Sequence, residues 1–143
     1  MTAWTYDDGG RGAAGFRGDA RDCAVRAVAI AGRLPYREVY DALFDASRIA
    51  DRDPRSPRLG VTRKAIDRLL LDEYGWTWTP TMQIGSGTTV HLRPDELPPG
   101  PIVARLSRHT VAVIDGVAHD THDPTRDGTR AVYGYWTPRK DDR

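Results

Sequence analysis

The first half of the chain carries hydrophobic residues at helical spacing. Asp22, a residue type preferred at helix N-caps, precedes the run Cys-Ala-Val-Arg-Ala-Val-Ala-Ile-Ala, which stops at Gly32. Apart from Arg26 this segment is apolar on every side, which predicts a helix that runs through the core. Residues Met1–Arg21 are rich in Gly, Asp and Arg and predict an extended arm with no regular element of its own.

Two further helices are predicted downstream. The second begins after Pro35 and covers Tyr36 to about Ile49, with apolar residues on one face. The segment Asp51–Gly60 is polar and contains two prolines, so it predicts a loop. The third helix begins from the cap Thr62 and ends around Tyr74–Gly75.

The hydrophobic period then changes to two, which is typical of strands. Helices first and a mostly antiparallel sheet after them predict an α+β domain. The predicted strands are Trp76–Thr79, Thr88–Leu92, Ile102–Leu106, His109–Ile114, Val117–Thr121 and Val132–Trp136.

Two of these strands are joined by Asp115–Gly116, a pair that favours a type I′ hairpin turn. With these residues as the loop, the register places His109 opposite His122. Asp120 then lies one step diagonally from His109 on the same face of the sheet, within reach of its side chain. Asp123 falls on the other face unless the strand is bulged there.

Length and charge limit the classes of function. The chain has 143 residues and a mean hydropathy of -0.57, which suits one soluble domain spanning residues 1–143. The 21 Lys and Arg are balanced by 20 Asp and Glu, so the clustered positive charge of a nucleic-acid binder is missing. No apolar run approaches the about 20 residues that span a bilayer, and the acidic, polar start is unlike a secretory signal. We therefore expect a cytoplasmic protein with no nucleic-acid or membrane partner.

The single cysteine, Cys23, cannot form an internal disulfide, so it is an inert buried residue, a reactive nucleophile or an intermolecular partner. At the start of a helix its thiol pKa is lowered by the unpaired N–H groups and the helix dipole, as a nucleophile requires. His109 could act as its base, with Asp120 or Asp123 holding the other ring nitrogen. The backbone N–H of Cys23 and a second donor would stabilise an oxyanion.

These residues resemble the papain-like cysteine peptidase superfamily. The resemblance covers roughly residues 15–136. It is nearest to the leader-processing peptidase domains of bacteriocin exporters, and small phage and bacterial proteins have similar segments. The segments are Gly-Asp-Ala-Arg-Asp-Cys, Pro-Tyr-Arg-Glu-Val-Tyr-Asp-Ala-Leu and His-Thr-Val-Ala-Val-Ile-Asp-Gly.

The resemblance implies a papain-like fold and a thiol hydrolase acting on a peptide, isopeptide or amide bond through a thioester. It maps the nucleophile to Cys23, the base to His109 and the orienting residue to Asp120 or Asp123, and it implies no cofactor. The superfamily generally has an oxyanion-binding Gln about six residues before the cysteine, and Arg17 stands there instead. Arg17 can donate hydrogen bonds, but a charged flexible side chain differs from a neutral amide.

Three alternatives remain open from the sequence. Cys23 could be a buried packing residue, as free cysteines often are. The chain could be a catalytically degenerate papain-like module that binds a peptide or partner protein. It could also be a metal-binding domain that uses His109, Asp120 and His122, with Cys23 as a fourth ligand.

Overall fold

A computed structural model describes residues 4–17, 21–54, 56–82 and 90–139. Within these ranges the protein is an α+β structure in which three helices precede most of the sheet. The helices are α1 (Cys23–Gly32), α2 (Tyr36–Ala50) and α3 (Arg63–Asp67), and a π-helical segment over Arg68–Glu73 continues α3. The strands are β1 (Trp4–Tyr6), β2 (Thr77–Pro80), β3 (Val90–His91), β4 (Pro101–Leu106), β5 (His109–Ile114), β6 (Val117–Asp120), β7 (Ala131–Val132) and β8 (Gly134–Thr137).

Six strands form a mostly antiparallel sheet in the order β1-β6-β5-β4-β8-β2. The pairing of β1 with β6 is parallel, whereas the other neighbours in this sheet are antiparallel. The short strands β3 and β7 pair separately. Strand β5 is therefore central, and α1 packs across it.

The two central strands alternate between two hydrophobic clusters. Val103 of β4 and Ala112 of β5 pack against the helices. The residues on either side of them, such as Ile102 and Val111, belong to a second cluster. Both faces of β4 and β5 are therefore covered, and these two strands form the buried centre of the sheet.

The predicted helices are confirmed with small changes at their ends. The first begins at Cys23, and seven of its ten residues are buried. Its left-handed C-cap is Arg33, with φ +57°, and not Gly32 as the sequence suggests. Gly32 is instead a packing position, because a Cβ there would lie 3.0 Å from the Trp76 ring. Thr62 caps the third helix by accepting a hydrogen bond from the Ala65 N–H.

The prediction that the arm Met1–Arg21 has no regular element is wrong. Trp4–Tyr6 forms β1, which pairs with Ala118–Asp120. Three exposed residues have too little apolar pattern to predict a strand, and the open edge of β6 supplies the pairing that orders them.

Apart from one-residue differences at strand ends, the later strands differ from the prediction in two places. Of the predicted strand Thr88–Leu92, the structure shows Val90–His91, and Thr88 and Thr89 lie outside the described residues. The predicted strand Val132–Trp136 is divided into β7 and β8 at Tyr133. The prediction misses this break because Tyr133 continues the apolar run. In the structure the N–H of Tyr133 donates a hydrogen bond to the carbonyl of Arg105.

The hairpin that joins β5 and β6 has the predicted turn and register. Asp115 and Gly116 have φ values of +50° and +80°, as a type I′ turn requires. Ile114 pairs with Val117, and the ladder continues to Ala112 and His119. This register determines which side chains at the far end of the hairpin lie together.

Replacement of Gly116 by alanine should lower the free energy of unfolding by about 2–4 kcal/mol, because strain at positive φ adds to a clash. A Cβ at Gly116 would lie 2.7 Å from the Cα of Pro94. Gly100→Ala is the matched control: φ is +82°, and a Cβ would meet no described atom within 4 Å. This control should lower the free energy of unfolding by only about 1–2 kcal/mol, measured for both variants by urea denaturation. Equal losses in the two variants would show that Pro94 moves aside freely.

Candidate active site

His109 and Asp120 are directly hydrogen-bonded. His109 Nε2 lies 2.6 Å from Asp120 Oδ2, and both side chains are largely buried. His109 is the first residue of β5 and Asp120 the last of β6. The hairpin register therefore brings two residues from the ends of neighbouring strands onto one face.

Cys23 joins this pair from the first turn of α1. It is the first residue of the helix, is partly buried, and makes a side-chain hydrogen bond with His109. Because His109 Nε2 is engaged by Asp120, Nδ1 is the ring nitrogen left for the thiol. The backbone N–H of Thr110 also donates to the sulfur. The thiol, imidazole and carboxylate thus form a continuous relay.

The relay shifts the pKa values of its members. Burial raises the pKa of the Cys23 thiol, but the hydrogen bond and charge of His109 outweigh burial and lower it overall. Burial lowers the pKa of His109, whereas its bonds to Asp120 and Cys23 raise it to about 9. Burial likewise opposes ionisation of Asp120, and the contacts with His109 lower its pKa overall. The lowered pKa of Cys23 and the raised pKa of His109 each favour the charged form of the side chain.

A largely buried arginine connects the relay to the start of α1. The guanidinium of Arg26 donates through Nη1 to Asp22, and its Nη2 lies 3.4 Å from Asp120 Oδ1. Asp22 was expected to cap the helix, but its side chain makes no capping hydrogen bond. The carboxylate is turned into the protein, where it is 1% exposed, because Arg26 supplies a charged partner there.

Asp22 has two more partners that tie other segments to the site. The Tyr36 hydroxyl at the start of α2 donates to Asp22 Oδ2 over 2.5 Å, and Arg11 Nε lies 3.2 Å from the same oxygen. The arm reaches this place by passing close to α1. A Cβ at Gly9 would lie 2.9 Å from the Cα of Arg26.

The other predicted site residues lie apart from the relay. Asp123 accepts hydrogen bonds from the N–H and the hydroxyl of Thr125 and so stabilises a turn. Of the two aspartates proposed to orient His109, Asp120 is the one in contact. Arg17 is exposed, and its carbonyl accepts a hydrogen bond from Arg11.

The cluster of His109, Asp120 and His122 has one ligand atom from each residue within 4.8 Å of the others. His122 is exposed, and its ring centroid lies 5.3 Å from that of His109. Tetrahedral zinc ligands at about 2.1 Å from the metal are about 3.4 Å apart. The 2.6 Å between His109 and Asp120 is the distance of a hydrogen bond, so the arrangement suits a shared proton better than a metal ion.

Sequence reasoning missed the roles of Arg26 and Tyr36. One signal for Arg26 was present, since it is the only charged residue in an apolar helix and stands four residues after Asp22. That spacing places the two side chains on one helix face. Nothing in the local sequence marks Tyr36, whose contact depends on how α2 packs against α1.

Comparison with known proteins adds no relative: no family model matches the chain, and no curated protein or solved structure matches it at a significant level. In the part of the chain that the structure describes, no helix has the length and apolar character needed to cross a membrane. The functional argument therefore depends on the geometry of the site.

Replacement of Arg26 by glutamine should lower the free energy of unfolding by roughly 3 kcal/mol, because Asp22 and Asp120 lose a buried charged partner. Urea denaturation measures the loss. Arg37→Gln is the control, because Arg37 forms an exposed pair with Asp41 at 3.4 Å and should contribute less than about 1 kcal/mol. Similar stabilities of the two variants would contradict the importance of the buried bridge.

The His109 imidazole should titrate near pH 9 in NMR experiments, and its pKa should fall in Asp120→Asn because the carboxylate charge is lost. Since the folded pKa exceeds the ordinary 6.5, this histidine stabilises the fold fully below pH 6.5. That contribution is lost as the pH rises through about 9. The stability difference between wild type and Asp120→Asn should therefore be smaller at high pH than at pH 7. An unchanged histidine pKa in the variant would contradict the pairing.

Proposed function

We propose that the protein is a cysteine-dependent hydrolase of papain-like fold. Cys23 is the nucleophile, His109 carries the proton, and Asp120 orients the imidazole. The observation that carries the proposal is the relay itself, in which His109 is bonded to Asp120 over 2.6 Å and to the Cys23 thiol. A merely structural cysteine needs neither a charged histidine beside it nor a lowered pKa.

The order of the elements supports the same proposal. The cysteine begins a buried helix, and the histidine begins a central antiparallel strand later in the chain. This order agrees with the papain-like resemblance, and the buried start of α1 brings the helix dipole to the sulfur. A thiolate in that position is both stabilised and partly accessible.

The proposed reaction proceeds in two steps. The Cys23 thiolate attacks the carbonyl carbon and forms a C–S bond, and the proton on His109 passes to the leaving nitrogen as the C–N bond breaks. Water then attacks the thioester while His109 accepts its proton. The C–S bond breaks, a carboxylic acid leaves, and the thiolate and imidazolium are restored. Peptides, isopeptides and simple amides all meet these requirements.

A binding-only module is the second candidate, and the position of Arg17 is the observation that favours it. The first donor for an oxyanion is available, because the Cys23 N–H is in the first helical turn and has no intrahelical acceptor. Arg17, which stands where the resemblance puts a second donor, is exposed and does not line the cleft beside Cys23. Without a second donor, acyl transfer would be slower by about 100-fold or more.

The pH dependence of Cys23 alkylation by iodoacetamide tests the thiolate. In wild type the reaction should remain fast well below the ordinary thiol pKa of about 8.5, because His109 lowers the pKa of Cys23. In His109→Ala the midpoint should move to higher pH, and Arg37→Gln should behave like wild type. A midpoint near pH 8.5 in all three proteins would contradict the relay.

Turnover separates the hydrolase from the binding module. Incubation with an activated aryl ester should add one acyl group to Cys23, detected by intact mass, and the adduct should disappear with time. Cys23→Ala should form no adduct. A reactive thiolate whose acyl adduct persists would favour the binding module.

A further inference from the structure

The cleft beside the relay is lined by positively charged side chains. It has a volume of about 200 Å³ and is lined by Cys23, His109 and apolar residues of the neighbouring loop, such as Leu59 and Val61. Three arginines also line it: Arg21, Arg105 and Arg108. No acidic side chain of the described residues lines this cleft.

Several arginines elsewhere in the described residues are paired with carboxylates. Seven have a carboxylate within 4.0 Å, namely Arg11, Arg26, Arg37, Arg48, Arg63, Arg68 and Arg93. Among the described residues no carboxylate lies within that distance of the three cleft arginines. Arg105 donates to the Thr110 hydroxyl of β5 over 3.2 Å, which holds its guanidinium against the neighbouring strand without neutralising its charge.

The charges of the relay do not offset the cleft arginines. Asp120 is already balanced by His109 and Arg26, and Asp22 by Arg26 and Arg11. The charges that lower the pKa of Cys23 are those of His109 and Arg26. Within the described ranges, the three cleft arginines therefore have no carboxylate that offsets their charge.

The backbone at Arg108 adds an independent observation. Arg108 immediately precedes His109 in the turn between β4 and β5 and has φ +54°, a left-handed conformation that suits glycine better. Its side chain is exposed and forms no ion pair with a described residue. Strain next to a reactive group is typical of residues that serve binding.

We propose that the cleft takes acyl substrates with a carboxylate beside the scissile bond, held by Arg21, Arg105 and Arg108. This inference rests on the proposed hydrolase function and names its substrate class. Guanidinium groups bind carboxylates through paired N–H donors, and a carboxylate is the ordinary anion of peptides. The cleft is smaller than the about 300–1,000 Å³ of typical small-molecule sites, so it suits one substrate residue.

Two alkylating agents of nearly equal size test the proposal. Iodoacetate carries a carboxylate where iodoacetamide carries a neutral amide, and both react at the Cys23 thiolate. The ratio of their rates should favour iodoacetate in wild type and fall by about tenfold in Arg105→Gln/Arg108→Gln. It should also fall with added salt. Arg37→Gln, at an exposed residue that does not line the cleft, should keep the wild-type ratio.

The variant Arg108→Gly separates a loss of carboxylate binding from a loss of folding, because it removes the arginine and relieves the backbone strain at the same position. Removal of the strain should raise the melting temperature by about 2–4 °C, and the preference for iodoacetate should decline. A more stable protein with a reduced ratio would support the proposal. An unchanged ratio in Arg108→Gly and in the double variant would overturn it.

Two sources of the carboxylate are distinguished by longer reagents. N-bromoacetyl-Glu-amide and N-bromoacetyl-Gln-amide compare an acidic side chain with its neutral isostere, and N-bromoacetyl-Ala offers a free C-terminus. Faster reaction of the Glu reagent indicates an acidic side chain, and faster reaction of the Ala reagent indicates a terminal carboxylate. A normal pH profile with no carboxylate preference would overturn this inference and leave the hydrolase proposal standing. An unreactive Cys23 would overturn both.

Discussion

The buried ion pairs of Arg26 with Asp22 and Asp120 are the constraint on which the site depends. A buried carboxylate without a partner would cost several kcal/mol, so neither aspartate can separate from the guanidinium without a large loss of stability. Because Asp22 precedes α1 and Asp120 ends β6, this bridge holds the helix start against the sheet. Cys23 and His109, each next to one end of the bridge, are thereby kept in contact.

The charges around the thiol fall into two groups with different roles. In the interior, Arg11, Arg26 and His109 lie against Asp22 and Asp120, and the charges of His109 and Arg26 lower the pKa of the partly buried Cys23 thiol. In the adjoining cleft, the arginines lack carboxylate partners among the described residues. In our proposal the first group sets the reactivity of the nucleophile, and the second selects the substrate.

Strand β5 is positioned by a turn at each of its ends. The Asp115–Gly116 turn has the sequence that its geometry favours, and it sets the register that pairs His109 with Asp120. The other turn has an arginine in a left-handed conformation, which costs stability next to the reactive histidine. In our proposal, stability and binding are in conflict at Arg108, whereas at Gly116 the local sequence and the fold agree.

The sequence by itself determined the elements whose causes are local. The start of α1 at Cys23, the Thr62 cap, the β5–β6 turn and the approach of Asp120 to His109 follow from periodicity, capping and turn chemistry. Only the tertiary structure decided that Asp22 turns inward, that Trp4–Tyr6 pairs with β6, and that Tyr36 and Arg26 support the relay. These contacts join segments that are distant in the chain or bury charges against one another. Their energies depend on partners that a local pattern does not specify.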